Sequence, residues 1–254
     1  MDLNEASKAA ASADTSKEPS FQRAYEAVAS DIAAMIRAKY EIGDKLPAER
    51  DFAARFGVSR PTVREAILRL SLAGMVEVRK NSGVYVTSRQ ELANIAEAGT
   101  GPFENLDARI AIEPEIAALA AGKMTDSILA QLADAIAMMR WEHSQGQEAD
   151  VGDRRFHVTI ASATGNATLV SIVDQLWKSQ LESRIWNEIH RRMHMRAYWP
   201  MWLADHERVF EALQSRNPDN ARRAMLRHIR NIKDTLLKES SPTGMKQAEE
   251  QDMP

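Results

Sequence analysis

Cysteine is absent from the 254 residues. That excludes a disulfide framework and any thiolate metal site, and it suits a reducing, cytoplasmic compartment. Long apolar runs are missing as well: nothing approaches the ~18 apolar residues that a membrane span needs. The first 20 residues are rich in Ala, Ser, Lys and Glu and lack the apolar centre of a secretory leader. No membrane partner is therefore expected, and the polar ends, 1–19 and 239–254, read as disordered tails. Strand patterns vanish beyond residue 88, and no internal repeat is evident. A surplus of positive charge is also lacking, since the net charge is −3 and the sequence pI is about 6.1. This average conceals an asymmetry. Residues 20–88 carry eleven Lys and Arg against eight Asp and Glu, so the remainder is more acidic than the whole.

The basic segment holds the most organised stretch of the chain. Residues 21–39 repeat Tyr25, Val28, Ile32 and Ile36 at helical spacing. Leu46-Pro47-Ala48-Glu49-Arg50 reads as a helix start with its proline in the first turn, and Phe52 and Phe56 share one face. Gly57 ends this helix and Ser59 is placed to cap the next. There Val63, Ala66, Ile67 and Leu70 form one buried stripe, with Arg64 off the stripe and Arg60 in the first turn. Two short helices across a glycine turn make a helix-turn-helix with arginines at the N-terminal end of the second. Met75-Val76-Glu77-Val78 and Val84-Tyr85-Val86, separated by Asn81-Ser82-Gly83, then read as a hairpin.

Leu46-Pro-Ala-Glu-Arg50, Gly57-Val-Ser-Arg-Pro-Thr-Val-Arg-Glu-Ala66, Gly74-Met-Val-Glu-Val78 and Gly83-Val-Tyr-Val86 keep order and spacing. Together they resemble the DNA-binding domain of GntR-type bacterial transcription regulators. The resemblance implies a winged helix-turn-helix over 20–88, with three helices and a β-hairpin wing. It also implies a dimer that sets two recognition helices in successive major grooves of a near-palindromic operator. Arg60 and Arg64 are expected to reach base edges. Arg50, Ser59 and Thr62 are expected to position the helix or touch phosphate, and Gly83 to shape the wing.

Residues 89–101 end in Gly99-Thr100-Gly101-Pro102 and read as a linker. Beyond it, 107–121, 126–143, 150–163, 167–190, 199–215 and 218–238 read as helices, with Pro114 expected to kink or restart the first. About six helices with short joints imply an antiparallel all-α bundle over 102–238, so the chain as a whole is expected to be mainly α.

Six histidines lie in that half: His143, His157, His190, His194, His206 and His228. Asp153 and His157, four apart, can point to one spot, and His206 and His228 lie on two further helices. One oxygen and three nitrogens from three helices is how bundles build metal sites. His190 and His194 are also four apart, and spacing alone does not separate the two sets. The second pair sits among arginines that repel a divalent cation.

Asp153-Arg-Arg-Phe156-His157, Thr164-Gly165-Asn166, Asp205-His206 and the stretch from Ala221 through Met225 to His228-Ile229 resemble the FCD effector domain of the FadR-type GntR subfamily. The resemblance implies that Asp153, His157, His206 and His228 coordinate a divalent metal, zinc with nickel or manganese as alternatives, which receives a small organic acid. Arg109 matches a pocket arginine of that family, and it can also pair with Glu113 one turn on. Arg184, Trp186 and Asn166 are further pocket candidates. The cluster Trp199-Pro200-Met201-Trp202 is similar to that of sugar-acid (hexuronate or related) regulators.

An enzyme is not expected. Metal-assisted hydrolysis needs a general base beside the bound water. Glu207 is a sequence neighbour of His206, but adjacent residues on a helix do not face one another. The expected function is a bacterial transcriptional regulator, a repressor released by its ligand and associated with the nucleoid when bound to its operator. The alternatives are a metal-dependent hydrolase with an accessory DNA-binding domain and a metal-free regulator of acyl-type ligands.

Overall fold

The computed structural model describes residues 24–79, 82–90, 101–146, 150–192 and 195–239. The expected tails and residues 91–100 of the expected linker lie outside these. Helix α1 (Ala24–Lys39) buries Tyr25, Val28, Ile32 and Ile36 along one stripe. Helix α2 (Glu49–Phe56) stacks Phe52 on Phe56 and ends at the left-handed Gly57. It begins later than expected, so Pro47 and the extended Ala48 lead into it. Helix α3 (Arg60–Leu72) carries Val63, Ala66, Ile67 and Leu70 into a core shared with α1 and α2.

Strands β1 (Val76–Arg79) and β2 (Gly83–Val86) form an antiparallel pair with Val76 opposite Val86 and Val78 opposite Val84. Val76, Val84 and Val86 close the core from below. Lys45 bridges to Tyr85 on the outer edge. Gly83 sits at φ 129°, and a Cβ there would lie 2.7 Å from the Lys45 side chain. A side chain at that position would be strained in its backbone and would push Lys45 off the wing.

The second half is a helical bundle: α4 (Pro102–Ala121), α5 (Asp126–Ser144), α6 (Asp150–Ala163), α7 (Ala167–Glu182), α8 (Arg184–Arg192), a 3-10 turn (Met195–Tyr198), α9 (Trp199–Gln214) and α10 (Pro218–Glu239). Its core runs from Phe103 and Leu106 through Phe156, Trp177 and Val209 to Leu236. Helix α4 packs against α6, α7, α9 and α10, and its alanines at 117, 118, 120 and 121 are all buried. Such small residues allow neighbouring backbones to come close.

Within the bundle, three features differ from expectation. Helix α4 begins five residues early, because Glu65 of α3 accepts the free N–H groups of Phe103 (2.7 Å) and Glu104 (3.3 Å). It then runs unbroken through Pro114. Proline inside a helix removes a hydrogen bond and costs about 3 kcal/mol, here offset by burial of the surrounding helix. The expected helix over 167–190 is split at Ser183, which is extended and whose hydroxyl accepts the Trp186 N–H at 3.3 Å to start α8. Among the described residues this gives seven α-helices in the bundle, where about six were expected.

Candidate metal centre and nucleic-acid interface

At the head of α3, the Ser59 hydroxyl accepts the Thr62 N–H (3.3 Å) and bonds the Thr62 hydroxyl (2.8 Å). The two residues thereby satisfy a helix end that would otherwise leave N–H groups unpaired. Arg60 projects from this end with 64% of its side chain exposed, its nearest carboxylate being Glu49 at 4.0 Å. Arg50, 81% exposed, pairs with its neighbour Asp51. An exposed pair of this kind is worth little and does not tie the guanidinium down.

Arg64 departs from expectation. Its side chain is 5% exposed, pairs with both carboxylate oxygens of Glu49 at the start of α2, and donates to the Leu237 carbonyl near the end of α10. The reason is geometric. Residues 63–68 of α3 are all buried, because the helix is enclosed by its own domain on one side and by the bundle on the other. Arg64 thus faces an interface between the two halves rather than solvent.

In the bundle, α6 places Asp153 and His157 one turn apart, and α9 and α10 bring His206 and His228 to the same point. One ligand atom from each of the four lies within 4.8 Å of every other. The Nε2 atoms of His157 and His206 both approach Asp153 Oδ1, at 3.2 and 2.9 Å. All three imidazoles are buried. The opposite nitrogens are anchored: His206 Nδ1 lies 2.8 Å from the Trp202 carbonyl, and His157 Nδ1 bonds the Glu113 carboxylate. Neither ring nitrogen of His228 has a hydrogen-bond partner among the described residues. A fully buried imidazole with no partner is costly unless something else occupies its lone pair.

Electrostatics agree with this geometry. Burial opposes the ionised form of Asp153, yet His206 and His157 beside it hold its carboxyl well below the usual range. Burial works the same way on Glu113, but Arg109 and His157 bring it down to about 2. Burial, with His206 and His157 alongside, keeps His228 far below an ordinary imidazole and therefore neutral. The Asp153 carboxylate and the neutral His228 imidazole are in the states a metal requires. At His157 burial is outweighed by Glu113 and Asp153, which raise its pKa, and the ring would give up its proton on binding a cation.

Arg109 is buried beside this cluster. It donates from Nε to Glu113 (2.6 Å) and from Nη1 to Gln180 (3.2 Å), and its guanidinium lies 4.3 Å over the Trp177 ring. Its Nη2 is 3.4 Å from His157 Nε2. The i,i+4 partnership with Glu113 is therefore real, but it is an interior pair rather than a surface one.

Other expected pocket residues lie elsewhere. Asn166 is exposed, and its side-chain oxygen accepts the N–H groups of Thr168 (3.0 Å) and Leu169 (3.3 Å) at the head of α7. That is a capping role, and it occupies the oxygen. Arg184 is exposed at the start of α8, because the break at Ser183 turns it outward. Trp186 belongs to the hydrophobic core. His194 and the His190 side chain lie outside the described residues. Sequence reasoning missed Glu113 as the partner of His157, and it missed Gln180. Glu113 left a trace in its spacing from Arg109, and Gln180 left none.

A winged helix-turn-helix joined to a helical bundle with a buried Asp/His cluster defines the class, a DNA-binding regulator with a second, helical domain. Comparison with known proteins places the chain within that class. The family model "Bacterial regulatory proteins, gntR family" matches residues 24–86 and the "FCD domain" model matches residues 104–231. The "Uxu operon regulator" of Haemophilus influenzae is 37% identical over 201 residues, 78% of this chain and 76% of its own. The "Exu regulon transcriptional regulator" of Escherichia coli K12 is 36% identical over 230 residues, 87% of each. Among solved structures, "E. coli McbR/YncC" covers 87% of this chain and 100% of its own at a TM-score of 0.50 and 18% identity, which speaks to the fold alone. The chain belongs to the GntR family of bacterial regulatory proteins and carries an FCD domain. It is a DNA-binding transcriptional regulator, not an enzyme. No helix among the described residues is long and apolar enough to cross a membrane.

Proposed function

We propose that this protein represses genes for the use of a sugar acid, a hexuronate or a close relative, and leaves its operator when that acid binds in the bundle. The observation that carries this reading is the buried cluster of Asp153, His157, His206 and His228 with Arg109 against it. His228, whose ring nitrogens have no hydrogen-bond partner among the described residues, can offer one lone pair to a cation at the centre, and Asp/His donors suit zinc, nickel or manganese. Bound there, a divalent metal would supply a Lewis-acidic position for a carboxylate or hydroxyl of the ligand. Arg109, charged and adjacent to the His157 Nε2, would hold the carboxylate's second oxygen. The names of the relatives, regulators of an Uxu operon and an Exu regulon, support a regulator of this kind. A metal-free pocket for acyl chains fits poorly, because it would leave three imidazoles, two carboxylates and a guanidinium buried beside an apolar ligand.

On the DNA side, a homodimer in the bacterial cytoplasm sets one α3 in each of two successive major grooves of a near-palindromic operator. Arg60 reads a base edge. Arg50, Ser59 and Thr62 engage or position the phosphate backbone, and the wing rests on the turn closed by Gly83. Arg64 joins them only when α3 parts from Leu237. The route between the halves runs through neighbouring residues of α3: Arg64 holds the end of α10, which carries His228, and Glu65 holds the start of α4, which carries Arg109. A ligand shifts this arrangement by its differential affinity for the two dispositions of α3.

The test uses a DNA fragment selected by the protein from a random pool, followed by gel shift with galacturonate, glucuronate and a non-acidic sugar. Release by an acid, abolished by a chelator and in His206→Ala, is expected, with elemental analysis giving less metal in His206→Ala than in wild type. Equal metal content in the two proteins refutes the ligand set, and indifference to every sugar acid refutes the effector class.

A further inference from the structure

We propose that Glu113 is the positioning residue of the metal centre, a carboxylate that fixes the His157 imidazole with Nε2 turned toward the cation. The inference rests on the metal reading above and concerns a residue outside the ligand set. Glu113 is 2% exposed on α4, a helix that contributes none of the four ligands. Its two oxygens are divided between two partners. Oε1 accepts from Arg109 Nε, and Oε2 faces His157 Nδ1. A neutral imidazole that donates from Nδ1 to a carboxylate offers its lone pair at Nε2, the form His157 would take beside a cation. In this structure Nε2 faces Asp153 Oδ1 at 3.2 Å.

The three histidines are not supported alike. His206 has a neutral backing, the Trp202 carbonyl, while His228 has no hydrogen-bond partner among the described residues. Among the described residues His157 alone of the three is backed by an anion, which both orients the ring and makes Nε2 a stronger donor. Glu113 also holds Arg109, so one carboxylate sets the positions of a metal ligand and of the cation expected to meet the effector. Gln180 and the face of Trp177 keep Arg109 in place from the other side.

The experiment measures zinc affinity of the full chain by competition with a chromophoric chelator, for wild type, Glu113→Ala, Glu113→Gln and His206→Ala. Glu113→Ala is expected to bind zinc about 10–100-fold more weakly. Glu113→Gln should recover most of that loss, because its amide oxygen accepts the same bond from Nδ1. Zinc affinity in Glu113→Ala within twofold of wild type, with metal lost from His206→Ala, overturns this inference and leaves the metal centre standing. Undiminished binding in His206→Ala takes down the metal centre and this inference together. Should Glu113→Ala not fold, the cobalt(II)-loaded wild type decides the matter by NMR. Its His157 ring N–H is expected in slow exchange with solvent, and fast exchange there overturns the proposal.

Discussion

Glu65 offers a sharp test of how the two halves are joined. It is 3% exposed, lies on α3, and accepts the leading N–H groups of α4. Burial is the dominant influence on its carboxyl. Although the Phe103 and Glu104 N–H groups favour the anion, the pKa is raised from 4.5 to about 7. Between these two values the folded chain holds a proton that the unfolded chain has released. Stability from this residue is therefore complete below pH 4.5, declines as pH rises, and is gone above about 7. At ~1.4 kcal/mol per pH unit the loss amounts to about 3 kcal/mol. Glu65→Gln keeps an oxygen for the Phe103 N–H and carries no charge at any pH. The variant should match wild type near pH 4.5 and exceed its stability by up to about 3 kcal/mol near pH 8. Urea unfolding at a series of pH values measures this, read by far-UV circular dichroism for the whole chain and by tryptophan fluorescence for the bundle, where all five tryptophans lie. Other groups titrate across the same range, so the quantity that matters is the difference between the two proteins. A difference that does not change with pH, or a variant less stable than wild type at pH 8, refutes the reasoning.

Gly152→Ala should destabilise the chain by about 1–3 kcal/mol, since a new Cβ would lie 2.7 Å from the Met139 backbone N where α5 and α6 cross; a thermal melt shows it. Asn166→Ala should cost ~1 kcal/mol through loss of the α7 cap and leave effector release of DNA unaltered in a gel shift, whereas a shifted effector titration would restore Asn166 to the pocket. Arg60→Ala should weaken operator binding by ~1–3 kcal/mol and relax specificity at one base pair, while Arg50→Ala should weaken all sequences alike and lower the salt slope by about one. Binding curves at several salt concentrations separate the two, and wild-type affinity in Arg60→Ala removes it as a base reader.

Much of this protein was legible along the chain because its determinants are local. The spacing of Val63, Ala66, Ile67 and Leu70, the cap at Ser59, the stop at Gly57 and the alternation around Val84 act over a few residues. Hydrogen bonding and periodic burial turn them directly into the helix-turn-helix and wing. The i,i+4 pair of Asp153 and His157 is local in the same sense, and family resemblance joined it to His206 and His228. Other features depend on what an element packs against. Arg64 lies off the apolar stripe of α3 and looked exposed, yet Leu237, 173 residues away in sequence, covers it. Asn166 was spent on its own helix, and Arg184 was turned outward by a one-residue break. The partnership of Glu113 with His157 spans 44 residues and two helices. Residue identity and spacing decided the helices and the hairpin of this chain. Only the tertiary structure decided which polar groups meet in the interior, because an unpaired buried charge is costly and its partner is whichever residue the packing brings within reach.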